Sequence, residues 1–241
     1  MHLFDTIISA IVAYRLAIIF WASVALSVTC ILKTDRKKQP NLWDALFLLC
    51  SWELFNTGFW QSYLADTIGI ANGYVVSATL CVLLAHWYGI RRNIPLWLFI
   101  TLEKTKDAFA WIAALLIILV PLGFLIHFLK FSPHLDTKYV CETISGYLLV
   151  ATVEETYFRG IILNLCRRVM HDKAALAVTT VLFATIYTHI TGGGHFPNWS
   201  YVGMALIAGL AYGLSFLEAN TLAVPILVHA SVDSIWRILL T

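Results

Sequence analysis

Eight apolar stretches alternate with short polar connections along the chain, at about residues 6–32, 42–65, 68–90, 108–130, 139–163, 174–190, 200–217 and 222–240. Each is close to the ~20 residues that a helix needs to cross the hydrocarbon core of a bilayer. The fourth is the cleanest, running from Phe109 to Leu129 with Trp111 at one end and Pro121 as a kink site. The second is interrupted by Asp44, Glu53, Asn56 and Gln61, as in a helix buried among others or lying partly in the interface. Residues 94–102, Ile-Pro-Leu-Trp-Leu-Phe-Ile-Thr-Leu, are apolar but too short to cross, and predict an interfacial helix. The pattern as a whole predicts an all-α polytopic membrane protein, a bundle of about eight transmembrane helices.

Composition agrees. Of 241 residues, 60% are hydrophobic and only 12% are charged, against roughly 25% charged in an ordinary soluble domain. The mean hydropathy is +0.79. A soluble fold of this length has no way to hide so much apolar surface, whereas a bilayer accepts it. A soluble enzyme, a disordered chain and a nucleic-acid binder are excluded on that ground. Five cysteines, Cys30, Cys50, Cys81, Cys141 and Cys166, are scattered through apolar stretches without paired spacing, and read as small buried hydrophobes.

The net charge of +2 matters less than its placement. Lys33, Arg36, Lys37 and Lys38 follow the first stretch, Arg91, Arg92, Lys104 and Lys106 follow the third, and Arg167, Arg168 and Lys173 follow the fifth. The opposite connections carry only Lys130 and Lys138. The alternation predicts three cytoplasmic basic loops, with both termini outside. The opening Met-His-Leu-Phe-Asp lacks a positive segment and a small-residue cleavage site, so the first stretch is expected to be a retained helix. No repeat or long linker appears. One integral-membrane domain over 1–241 is expected, with 1–138 as helices of unassigned role and 139–240 carrying the chemistry.

An ionised side chain in mid-bilayer costs at least ~2.5–3.5 kcal/mol, so charges inside apolar stretches mark function. The fifth stretch contains Glu154-Glu155-Thr-Tyr-Phe-Arg159-Gly160. Glu155 and Arg159, four apart on a helix, share a face and form a self-contained ion pair. Glu154 is rotated by about 100° from its neighbour and is left free to act. The eighth stretch places His229 and Asp233 at the same four-residue spacing, four residues after Pro225. His189 lies in the sixth stretch, and His195 follows three glycines in an outer loop. Three helices thus offer Glu154, His189 and the His229/Asp233 pair to one core. A glutamate with two histidines can hold zinc, but a His-Glu-x-x-His pair is missing. Activation of water by Glu154 needs no metal.

These residues resemble the CPBP family of glutamic-type intramembrane endopeptidases, which includes the CAAX prenyl endopeptidases and the bacteriocin-processing and Abi immunity proteins. The likeness rests on Glu154-Glu155-x-x-x-Arg159-Gly160, a histidine in the next helix and His229-x-x-x-Asp233 in the last, and covers about residues 139–240. It implies that Glu154 and His189 hold and activate the attacking water. His229 and Asp233 would stabilise the oxyanion, and Glu155 with Arg159 would orient the site. It implies no cofactor, a bacterial inner membrane, and a membrane-anchored protein or peptide as substrate: a CAAX-like tail, a leader or a C-terminal sorting signal.

Two positions depart from the family pattern. Phe-x-x-x-His is usual, but here Phe183 precedes His189 by six, with Tyr187 at the four-spaced position. On a continuous helix six steps rotate His189 about 240° from Phe183, and their shared face is lost. Asp233 stands where asparagine is more frequent. An oxyanion donor must carry a hydrogen, so Asp233 would be protonated or would act by orienting His229. The assigned stretches also place His189 near the outer end of its helix and His229 nearer the inner end of its own. Other classes stay open at this point: a transporter or proton relay through Glu53, Glu154, Glu155 and the histidines, and a non-enzymatic immunity scaffold.

Overall fold

The computed structural model describes residues 21–36, 38–56, 70–126, 128–191 and 197–240. Among these residues the fold is helical and without strands, apart from an isolated backbone bridge between Phe131 and Leu240. Residues 6–20, the end of the second stretch with Gln61, and His195 lie outside the described residues, as do the side chains of Glu53, Asn56 and Tyr187. The chain divides into two units, residues 1–94 and 95–241. The break precedes the fourth helix, so that helix groups with the motif helices.

The first unit contains α1 (Trp21–Lys33), α2 (Leu42–Asn56) and α3 (Ile70–Arg92), and a buried polar lock joins α2 to α3. Asp44 opens α2, and Arg92 closes α3. Arg92 meets both carboxylate oxygens, Nε to Oδ1 at 2.9 Å and Nη2 to Oδ2 at 3.0 Å. The Tyr88 hydroxyl donates to Oδ1, and the Asn41 amide donates to Oδ2 at 2.7 Å. Arg92 Nη1 donates to the carbonyls of Asp35 and Lys38, so the basic connection is pinned as well. The Phe47 ring stacks on Tyr88 with centroids 4.2 Å apart. Asp44, one of the interruptions in the second apolar stretch, is thereby neutralised inside the protein.

The second unit contains α4 (Leu102–Leu125), α5 (Thr137–Glu155), α6 (Asp172–Ala184), α7 (Tyr187–Thr191), α8 (Trp199–Ala219) and α9 (Ala223–Leu239). Side-chain caps start most of them: Thr101 accepts from the Lys104 amide, Asp136 from Tyr139, His171 from Ala174 and Asn198 from Tyr201. Asn220 closes α8 at φ 51°, a left-handed conformation that asparagine tolerates, and turns the chain into α9. α9 packs against α5, α4 and α8, and α8 packs also against α6. Among the described residues, two helices, α4 and α8, are long and apolar enough to cross a membrane. α4 leaves Phe109, Ile117 and Leu125 66%, 72% and 76% exposed, an apolar face that suits lipid.

Two expectations are corrected. Residues 94–100 form no interfacial helix but an extended strap. Pro95 lacks an amide donor and drives Ile94 away from helix. The strap's carbonyls are used elsewhere: Trp97 accepts from the Leu222 amide at 2.8 Å, and Phe99 from Thr221 Oγ1 at 2.8 Å. The sixth stretch is not one helix either, because it breaks at Thr185 and Ile186 into α6 and α7. Thr185 Oγ1 donates back to the Val181 carbonyl at 2.8 Å, a local bond that competes with the helix ladder.

Candidate active site

Glu154 and Glu155 are the last residues of α5. Immediately after them the backbone widens into a π-helix, Thr156–Leu163, followed by one α-turn, Asn164–Cys166. Such segments are rare and frequent at functional sites. The Asn164 amide donates to the carbonyls of Gly160, at 2.8 Å, and Arg159, at 3.3 Å, and so satisfies acceptors along the widened turns. Gly160 lies against the strap: a Cβ there would stand 2.8 Å from Leu96 Cδ2.

Arg159 is buried, and both terminal nitrogens of its fork are engaged. Nη1 donates to Glu155 Oε1 at 3.0 Å, and Nη2 donates to the Gly209 carbonyl of α8 at 2.8 Å. The guanidinium lies over the Phe183 ring, 4.4 Å from its centroid. Gly209 permits this approach, since a Cβ would come within 2.8 Å of Phe183 Cδ1 and 3.4 Å of Arg159 Nη2.

The Glu155–Arg159 pair is not self-contained. His229 Nδ1 lies 2.7 Å from the same Glu155 Oε1, and its Nε2 lies 3.3 Å from Asp233 Oδ2 and 3.9 Å from Glu154 Oε2. A chain of contacts, buried from Arg159 through Glu155 to His229 and ending at the partly exposed Asp233, therefore runs across α5, the π-helix and α9. A carboxylate only accepts, so Glu155 places a hydrogen on Nδ1 and turns Nε2 towards Glu154 and Asp233. Glu154, expected to stand unpaired, faces His229. The second oxygen of Glu155 is buried with no hydrogen-bond partner among the described residues.

His189 lies on α7. Its Nδ1 is 2.8 Å from the Phe183 carbonyl, which only accepts, so the hydrogen is on Nδ1 and the Nε2 lone pair is open. The rings of Phe183 and His189 meet edge to face at 4.9 Å. The expected loss of their shared face is thus overturned: the break at Thr185 and Ile186 swings His189 back onto Phe183. The same ring lies 5.8 Å from His229, so the two histidines share a wall despite the different depths read from their stretches.

A cavity of about 370 Å³ opens among these helices, lined by His189, His229, Asp233, Phe183, Tyr201 and Tyr212. The Tyr212 ring stacks on His229 at 4.5 Å, and Tyr201 meets His189 at 5.3 Å. Phe183 as a hub, the two tyrosines, Gly209 and the π-helix were not singled out from sequence. The signal for the tyrosines was a pair of phenols in one apolar stretch. Glu154, His189 and His229 have the donor chemistry for a metal, but among the described residues no three His, Cys, Asp or Glu side chains are gathered as a metal ion requires.

A family model described as "Type II CAAX prenyl endopeptidase Rce1-like" matches residues 136–235. No curated protein and no solved structure matches the chain. The matched segment begins at the cap of α5, ends within α9 and contains every residue of this chain of contacts and both histidines. Over residues 136–235 the chain is similar to the Rce1-like type II CAAX prenyl endopeptidases, in line with the CPBP resemblance of the Glu154-Glu155-x-x-x-Arg159-Gly160 motif.

Proposed function

We propose that the protein is an intramembrane endopeptidase of the glutamic type, which hydrolyses a peptide bond of a membrane-anchored protein or peptide. The observation that carries this reading is a cavity between helices lined by His189, His229 and Asp233, with the Glu154 carboxylate 3.9 Å behind it on His229 Nε2. Water held by Glu154 and the open Nε2 of His189 attacks the substrate carbonyl as Glu154 takes its proton. The carbonyl electron pair moves onto oxygen, where His229 stabilises it. Collapse breaks the C–N bond, and the proton on Glu154 passes to the leaving amine. Glu155, gripped by Arg159, orients the imidazole of His229. No metal enters this mechanism.

The apolar faces and the basic connections support a polytopic chain of about eight crossings in a bacterial inner membrane, with the Lys33–Lys38 and Arg167–Lys173 connections cytoplasmic and both termini outside. The substrate is a CAAX-like tail, a leader or a C-terminal sorting signal. Mass spectrometry of membrane-protein termini tests the reading, comparing cells that carry the intact protein with cells that carry Glu154→Gln. Termini present only with the intact protein are expected. Identical termini, with the variant expressed at the parent's level, would refute it.

A further inference from the structure

We propose that the Tyr212 hydroxyl is a catalytic residue that donates a hydrogen bond to the oxyanion. The inference rests on the protease reading and begins from a missing hydrogen. Asp233 Oδ2 lies 3.3 Å from His229 Nε2, and an ionised carboxylate offers an oxyanion no donor. Tyr212 lies beside that gap. Its ring is stacked on the His229 imidazole at 4.5 Å with 16° between planes, and it forms part of the cavity wall. The side chain is 1% exposed, and buried tyrosine hydroxyls ordinarily find an acceptor. The Tyr212 carbonyl accepts from Ser215 Oγ, but its hydroxyl has no partner among the described residues. The ring is packed further by the Arg159 guanidinium, 5.3 Å from its centroid, and by Phe183, edge-on at 6.1 Å. A neutral phenol held in this way needs no reorganisation to meet a developing negative charge. When water adds to the carbonyl carbon, the π pair moves to oxygen and the Tyr212 hydrogen bond shortens onto it. The phenol keeps its proton, which leaves the proton transfers of Glu154 unchanged.

The test uses a synthetic peptide spanning a Glu154-dependent terminus found in the mass-spectrometric comparison, with purified full-length enzyme. Tyr212→Phe keeps the ring and its stacking. It should lower kcat about a hundredfold, the usual cost of one oxyanion donor, with KM and thermal stability close to the parent's. Asp233→Asn supplies an N–H donor at the same gap, so the double variant should turn over at least about tenfold faster than Tyr212→Phe alone. A Tyr212→Phe enzyme with the parent's kcat overturns the inference while the protease reading stands. So does a slow Tyr212→Phe enzyme that Asp233→Asn does not improve. If no terminus depends on Glu154, the protease reading fails and this inference fails with it.

Discussion

The Phe183 carbonyl and the His189 Nδ1 are 2.8 Å apart, and the rings of the same two residues meet edge to face. That bond shares the Phe183 carbonyl with the Ile186 amide where α6 ends, and it sets the tautomer of His189. The Phe183 ring also touches the Arg159 guanidinium, Phe158 and His229, so it holds a cation and both imidazoles in place. Phe183→Ala should cost about 3–5 kcal/mol of stability, as loss of a buried phenyl does. Phe183→Leu keeps most of the volume but not the flat wall. It should fold, with turnover at least about tenfold lower because positioning errors of an ångström are costly. Thermal melting and peptide turnover measure the two effects separately, and a Phe183→Leu enzyme with the parent's turnover would contradict this role.

The adjacent glutamates should respond differently to substitution. Glu155 accepts from Arg159 and His229 in a fully buried setting. Glu155→Ala strands a buried guanidinium, and breaking such a pair costs about 3–5 kcal/mol. Folded yield and activity should fall together. Arg159→Lys should also lower stability, because an ammonium does not reproduce the fork that spans Glu155 and the Gly209 carbonyl. Glu154→Gln, which removes a base and keeps the shape, should retain the parent's folded yield in size-exclusion chromatography. A Glu155→Ala protein as stable as the parent would contradict the buried chain.

The four-residue pairs were legible in the sequence because helical spacing alone brings Glu155 to Arg159 and His229 to Asp233. What spacing does not carry is the partner on another helix. Glu155 meets His229 across 74 positions of chain, and no periodicity announces that. The break after Ala184 was hidden because neither glycine nor proline marks it, and a threonine that bonds backwards is usually tolerated within a helix. The π-helix was equally silent: Thr156–Leu163 reads as ordinary helix until Asn164 and the strap at Leu96 are placed beside it. At residues 94–100 the error lay in weighing apolar content above Pro95.

In the first unit the Asp44–Arg92 contact carries a separate expectation. Both side chains are almost fully buried, and Arg92 Nη1 also holds the carbonyls of Asp35 and Lys38. Asp44→Ala removes the carboxylate and leaves the guanidinium uncompensated, at about 3–5 kcal/mol. The protein should melt at lower temperature in detergent, and protease nicking within residues 34–41 should increase because the connection loses its anchor. Unchanged melting and nicking in Asp44→Ala would show that the lock contributes nothing.

Metal dependence is the last expectation. Glu154, His189 and His229 are zinc-ligand types, and a zinc-bound water would be a ready nucleophile near neutral pH. The geometry around His229 favours another use. Its Nδ1 is taken by Glu155 at 2.7 Å, and its Nε2 is met by Asp233 at 3.3 Å. A zinc ion on Nε2 would have to displace Asp233 or recruit it as a ligand, and it would draw Glu154 away from the role of base. We therefore expect the purified enzyme to keep its turnover after exhaustive chelation and dialysis, and to contain no stoichiometric zinc by elemental analysis. Asp233→Ala separates the two mechanisms further. If Asp233 orients His229, turnover falls and added zinc does not restore it; if it completes a metal site, zinc affinity falls and excess zinc restores turnover. Activity lost to chelator and recovered with micromolar zinc would reassign Glu154, His189 and His229 as ligands.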